Sequence, residues 1–334
     1  MLYALPSYPQ LSESYMHNEL LAVQRVGVHV EVWAGRPPTA PSDEVSAPVH
    51  RGSIDAAIRK AAPDVIHVHW LVRNKAVREA ARGAGVPVTV RAHSFDFSPE
   101  AVQELEADSG VRSIYLFPHQ LAALGARPPK ARALNPCYDP QRYGPSARKD
   151  PRRVARAGVA RPEQGHDAFI RIASRLSGFH CVLIVASGFR EKAYMDGLHQ
   201  QNRDLGAPVE ILSNLQYRDV APVVAGAALY LHTWSPAKPY GMPVSIAEAM
   251  ATGSYVLTPD AHGAGDYVGE AGTTYRSEEE AVEIIQRTST WPPDVWSRMR
   301  DRACRRASEN FSADRVTRAL VADWQALRSE RAGR

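Results

Sequence analysis

The residues with the clearest chemical potential run PYGMPVSIAEAMATG over 239–253. Gly241 and Pro243 interrupt the chain just before a run of helix formers, Ile246-Ala247-Glu248-Ala249-Met250-Ala251. A helix that begins at a cleft presents unbonded N–H groups and the positive end of its dipole, which suits an anion such as a diphosphate. Glu248 falls one turn in, where a carboxylate can accept hydrogen bonds from sugar hydroxyls such as those of a ribose. The plainer reading is an amphipathic helix with a surface Glu. The Gly-x-Pro before it and the small-residue exit to Gly253 argue against that. His93 follows an apolar strand and precedes Ser94 and Asp96, so it is either a cleft residue at a strand end or a satisfied structural histidine.

Other chemical signals are weaker. His67 and His69 lie on one face of a strand. A metal pair needs further ligands, and the sequence places no third one, so a strand-end pair lining a cleft is the better reading. GAGDYVG, 263–269, echoes a dinucleotide fingerprint. It does not directly follow a strand, however, and no acidic residue closes the next strand at the required distance. No G-x-S-x-G or Cys/His nucleophile arrangement is visible.

The elements that must position these residues alternate. Strands are expected at Leu2–Leu5, Val28–Trp33, Val65–Trp70, Val86–Arg91 and Ser113–Phe117, with helices over 13–26, 54–62, 74–84 and near 99–107. A stretch rich in proline, 133–153, reads as a linker. The alternation restarts with strands at Arg153–Ala157, Cys181–Ala186, Val209–Leu212, Leu229–His232 and Tyr255–Thr258. Helices are expected over 167–176, 190–204, 220–225 and 244–251, then near 278–288, 294–309 and 312–329. Such alternation implies parallel sheets covered by helices, in two domains, 1–147 and 148–310. The final segment 311–334 is a helix expected to pack back on the first domain. Two such sheets face one another across a cleft, with ligands outside the strands' carboxyl ends.

Composition narrows the class. The chain has 334 residues, 44% hydrophobic and 23% charged, with a net charge of +4. That suits a soluble protein of two domains and carries no nucleic-acid signature. Three scattered cysteines, Cys137, Cys181 and Cys304, argue against a disulfide framework and fit a reducing compartment, the cytoplasm. The N-terminus reads as a buried strand instead of a signal peptide, and no apolar run is long enough to span a bilayer. The arginine-rich segment Arg298–Arg306 could touch an anionic surface weakly. A solvated helix face is the plainer reading.

Together these stretches resemble glycosyltransferase family 4, enzymes of the GT-B fold that carry E-G-x-P-x-x-x-x-E-A-M-A-x-G near the same place. The segment 8–33 is similar to the family's first loop, helix and second strand. PDVIHVHW (63–70) resembles its next strand, TVRAHSFD (89–96) the strand ending in a cleft histidine, PCYDPQRYGP (136–145) the interdomain segment, and RPEQGHDAFIRIASRL (161–176) its P-E-K-G-H-D helix. The resemblance implies an α/β GT-B fold of two Rossmann-like doubly wound domains, the first binding acceptor and the second nucleotide sugar. It further implies transfer with retention, no metal and no cofactor, the nucleotide sugar being a substrate. By the same resemblance Glu248 holds the ribose and the amides of Val244 and Ser245 hold the diphosphate, within the donor-binding stretch Tyr240, Gly241, Met242, Pro243. His93 sits near the donor sugar. Gln10, Ser12, Glu13 and Ser14 face the phosphates or the acceptor.

Three positions depart from the pattern. The family's first Glu is Tyr240, its Arg after the strand glycine falls at Val159, and its Lys before G-H-D is Gln164. The last two normally neutralise the leaving diphosphate, so Arg161 and Lys238 are the expected substitutes. Solvent exposure is the plainer reading of both. The expected activity is hexosyl or deoxyhexosyl transfer to an acceptor the sequence does not name. The rivals are another GT-B enzyme such as a sugar-nucleotide epimerase, and a non-catalytic partner subunit.

Overall fold

The computed structural model describes residues 1–72, 74–235, 241–261 and 263–332. Its first sheet is built from β1 (Leu2–Ser7), β2 (Glu31–Arg36), β3 (Val49–His50), β4 (Ile66–His69), β5 (Val88–Arg91), β6 (Val111–Leu116) and β7 (Ala131–Ala133). All pairs are parallel, in the order β3-β2-β1-β4-β5-β6-β7. The connecting helices are α1 (Ser14–Arg25), α2 (Ile54–Ala61), α3 (Lys75–Gly83), α4 (Pro99–Ala107) and α5 (Pro118–Ala123). Parallel strands need such crossovers, and the helices bury both sheet faces, which explains why strands such as β4 and β5 are buried at every position.

The second sheet repeats the plan with β8 (Asp150–Val159), β9 (His180–Ala186), β10 (Val209–Ser213), β11 (Ala227–Leu231), β12 (Tyr255–Pro259) and β13 (Gly272–Tyr275). It is parallel in the order β10-β9-β8-β11-β12-β13. Helices α6 (His166–Ala173), α7 (Lys192–Asp204), α8 (Tyr217–Gly226), α9 (Val244–Thr252), α10 (Ala264–Val268), α11 (Glu278–Thr288) and α12 (Pro293–Asn310) cover it. The strand order reverses between β1 and β4 in one sheet and between β8 and β11 in the other. Those are the points where open sheets bind ligands.

The last helix, α13 (Ala313–Ala332), returns to the first half. Leu320, Trp324 and Leu327 join the cluster that holds Tyr3, Leu20 and Val32. The short strands β3, β7 and β13 and the short helices α5 and α10 lie outside the sequence expectation. They run two to six residues, too short for a hydrophobic period to register. Strand β2 begins three residues later than expected, at Glu31. Among the described residues no helix is long and apolar enough to cross a membrane.

Candidate active site

The carboxyl ends of both sheets open onto one cavity of about 830 Å³ between the halves. Its lining includes His93 and Trp70 from the first half and Gly158, Gln164, Gly241 and Glu248 from the second.

Helix α9 starts where the sequence expects it. Pro243 is its extended N-cap and Gly253, at φ +87°, ends it in the left-handed region that glycine adopts most readily. Tyr267 donates to the Pro243 carbonyl at 2.8 Å and steadies the turn. The N–H groups of Val244 and Ser245 have no preceding turn to bond to and lie in the cavity wall with Met242 and Pro243. Gly241 approaches the opposite half closely, since a Cβ there would stand 2.3 Å from Ser94 Cβ. Lys238 and Tyr240 fall outside the described residues.

Glu248 differs from the expectation of an ionised side chain open to the cleft. It is only 4% exposed. Ser14 on α1 donates to its Oε1 at 3.4 Å, and Asn18 and Tyr143 also hydrogen-bond to it. Burial pushes its carboxyl up to about 7, against the lowering effect of those bonds and of Arg142. The cause is the close seating of α1 over α9, which removes water from the carboxyl. Being one turn inside α9 does not offset that.

The β8–α6 corner holds the residue that sequence reasoning missed. Arg156 is fully buried. Its guanidinium donates to Gln164 Oε1 at 2.9 Å, to the Thr233 carbonyl at 3.2 Å and to the Ala157 carbonyl. No carboxylate pairs with it among the described residues. Gln164, at the position of the resembled family's lysine, lines the cavity, so Arg156 places a cation directly behind it. Gly158 permits this packing, because a Cβ there would meet His166 Nε2 at 2.8 Å and Arg156 Nη1 at 3.3 Å. Arg161 is exposed in the lining, its guanidinium 5.7 Å from the Phe95 ring centroid.

In the first half, Ser12, Glu13 and Ser14 line the cavity, but Gln10 does not. The Gln10 side-chain amide donates to Thr39 Oγ1 at 2.9 Å and accepts from the Thr39 N–H at 3.0 Å, and the Gln10 backbone carbonyl accepts from the Tyr217 hydroxyl. It serves the loop backbone instead of a ligand. Glu13 carries a buried Oε2 with no partner. Burial raises its carboxyl to about 8, although Arg161 and Arg36 pull the other way.

His93 lies in the wall, 9% exposed, between the rings of Tyr15 and Trp70, each 4.9 Å away. Asp96 accepts from the His93 and Leu71 N–H groups and holds the loop. Burial drives His93 well below the usual histidine range, so the ring is neutral. His67 and His69 do not simply line the cleft. His67 is fully buried and His69 is 2% exposed, and α1 supplies Glu19 as the third group the sequence did not place. Register sets His67 beside Tyr3 and Thr89, and His69 beside Arg91.

The arginine-rich stretch of α12 is mostly occupied. Arg298 pairs with Asp294, Arg300 with Asp301 and Arg302 with Glu270, while Arg306 donates to the Asp266 and Tyr267 carbonyls. Three of its five arginines are thus paired with carboxylates, so the face is partly neutralised.

Two parallel, doubly wound sheets facing each other across a ligand-sized cavity define the GT-B architecture. Residues 151–290 match the family model described as Glycosyl transferases group 1. Among solved structures, HepE of Anabaena in complex with UDP and glucose superposes with a TM-score of 0.73 at 18% identity, over 97% of this chain and 99% of that one. Sucrose-phosphate synthase of Thermosynechococcus elongatus gives 0.76 at 14% identity, over 99% and 100%. A glycosyltransferase of Rickettsia africae gives 0.74 at 10%, over 98% of each chain. No curated protein matches the chain in sequence.

Proposed function

We propose that this protein is a glycosyltransferase that moves a hexosyl or deoxyhexosyl group from a nucleoside diphosphate donor to an acceptor nucleophile, with retention and without a metal. The observation that carries the reading is the α9 N-terminus opening onto the cavity with the cation of Arg156 behind Gln164. Free amides and buried positive charge stabilise the charge that develops on a departing diphosphate. Glu248 binds nucleotide hydroxyls, His93 faces the donor sugar, and exposed Arg161 adds charge at the mouth; Lys238 is the second residue assigned to neutralise the phosphates. Glu13 and the loop through Ser14 meet the acceptor. The structures of HepE with UDP and with UDP-glucose support a uridine donor as the first to try.

The two halves work as domains 1–147 and 148–310, with 311–334 bracing the first. The three free cysteines support a cytoplasmic setting, where disulfides seldom form. A thermal-shift screen against UDP-, GDP-, TDP- and ADP-sugars tests the donor. A true donor at a hundredfold its Kd stabilises by about 2.7 kcal/mol. Release of nucleoside diphosphate in EDTA tests the metal-free step, and activity restored only by Mg²⁺ or Mn²⁺ would refute it. Binding without any turnover, or appearance of an epimeric sugar nucleotide, would favour the partner-subunit or epimerase alternative.

A further inference from the structure

A buried polar chain runs from α1 to the cavity wall. Glu19, fully buried, accepts from Tyr3 at 3.0 Å and from the Arg91 guanidinium. Nε2 of His67 and Nε2 of His69 each lie 3.4 Å from Glu19 Oε1, and neither has a formal hydrogen bond. His69 Nδ1 is 2.9 Å from His93 Nε2, and both rings are buried.

The protons can be placed by elimination. Neither Nε2 points squarely at Glu19, but each lies 3.4 Å from its Oε1 and bonds to no other group among the described residues. A carboxylate that close repels a ring lone pair and attracts an N–H, which favours hydrogen on both Nε2 atoms. His67 supplies a cross-check. Trp324 is a donor only, and its indole lies 3.3 Å from Thr89 Oγ1. The Thr89 hydroxyl is then free to donate to His67 Nδ1, 2.8 Å away, which again leaves the hydrogen on Nε2. With His69 Nε2 protonated and the ring neutral, His69 Nδ1 is an acceptor, and the hydrogen in its contact with His93 belongs to His93 Nε2. A neutral His93 then has a bare Nδ1, which meets no partner among the described residues.

We propose that Glu19 and His69 are positioning residues that lock His93 as the Nε2–H tautomer, so that His93 presents a lone pair at Nδ1 and takes a hydrogen bond from a hydroxyl of the bound sugar. The rings of Tyr15 and Trp70 hold its plane. This deepens the sugar-transfer reading and rests on it for the identity of the hydroxyl. The same three residues, Glu19, His67 and His69, could instead chelate a metal ion. Charge opposes that. Arg91 already neutralises Glu19, and a divalent ion would leave an excess of positive charge in a dry interior. A metal on both Nε2 atoms would also force the reverse tautomers, with His69 Nδ1–H donating and His93 Nδ1 protonated.

The test is side-chain ¹⁵N NMR on the full-length protein without substrate, with His93 assigned by the loss of its signals in His93→Gln. The expected result is a slowly exchanging proton bonded to His93 Nε2, with scalar coupling across the hydrogen bond to His69 Nδ1. Glu19→Gln can turn an amide N–H toward His69 Nε2, which should reverse the chain and move hydrogen onto His93 Nδ1. Packing alone would not do this. Turnover in Glu19→Gln should fall about tenfold, the worth of one such hydrogen bond. If Glu19→Gln does not fold, the wild-type spectrum decides alone. A proton on His69 Nδ1 in wild type, or one equivalent of zinc retained by purified protein and lost in His67→Phe, overturns the proposal. Because the tautomer is read without substrate, absence of sugar transfer would tell against the proposed function and not against this assignment.

Discussion

Replacing Arg156 by Met should separate stability from ligand binding. The guanidinium is fully buried and, among the described residues, its partners are neutral. Burying an unpaired cation costs several kcal/mol even after relaxation. Removing it frees few groups, because the Ala157 carbonyl keeps Tyr230 at 3.1 Å and the Gln164 carbonyl keeps Thr233 at 3.0 Å. The Thr233 carbonyl loses its guanidinium contact, at a cost of about 1–3 kcal/mol. The two effects oppose, so the unliganded variant should lie within about 2 kcal/mol of wild type. Donor binding should behave differently. Gln164 Oε1 is 2.9 Å from the guanidinium, so a phosphate bonded to the far end of that amide sits about 6 Å from the charge. With an effective dielectric near 20, a unit charge at that distance contributes about 3 kcal/mol, or about a hundredfold in Kd. Calorimetric titration with UDP, alongside urea unfolding, reads both quantities. Arg156→Lys, which keeps the charge, should recover much of the affinity. Equal UDP affinity in wild type and Arg156→Met would refute the electrostatic role, and a stability loss far above 2 kcal/mol with unchanged affinity would make Arg156 structural.

Three other substitutions have defined outcomes. Glu13→Gln should stabilise the unliganded protein increasingly as pH rises. The folded-state carboxyl sits at about 8, above its ordinary value of 4.5, so wild type loses stability through that window while Gln does not; urea midpoints should converge below about pH 4.5 and diverge fully above about pH 8. Glu248→Gln should raise donor KM roughly ten- to a hundredfold above about pH 7, where the carboxyl is ionised, with kcat less affected, since charge-assisted bonds to hydroxyls are removed; an unchanged KM with collapsed kcat would make Glu248 catalytic. Gly241→Ala must displace either the α9 approach or Ser94, given the 2.3 Å clearance, and should lower turnover at least about tenfold with little effect on Tm; full activity would show that the close approach is dispensable.

Much of the architecture was readable along the chain, for a simple reason. Strands covered by helices on both faces must be short apolar runs, and the helices between them must show a longer period. The α9 helix was equally plain, because Gly241, Pro243 and Gly253 set its ends through backbone preferences that act locally. Gly272–Tyr275 escaped notice because a half-buried edge strand of Gly and Thr has no apolar run.

The site's electrostatics were a different matter. In Asp150–Val159 the sequence shows three arginines, Arg152, Arg153 and Arg156, with nothing to say which one turns inward; only the packing of Gln164 and Thr233 around Arg156 decides it. Local pattern also placed His67 and His69 on one face without indicating that α1 would lay Glu19 against them, or that Arg91 would neutralise it. Glu248 shows the same limit. Its place on a helix is a local property, but its ionisation depends on how deeply it is buried, against the hydrogen bonds from Ser14, Asn18 and Tyr143. Backbone preference and hydrophobic period act between near neighbours and are written in the sequence. Desolvation and charge pairing depend on distances between segments far apart along the chain, and those exist only once the chain has folded.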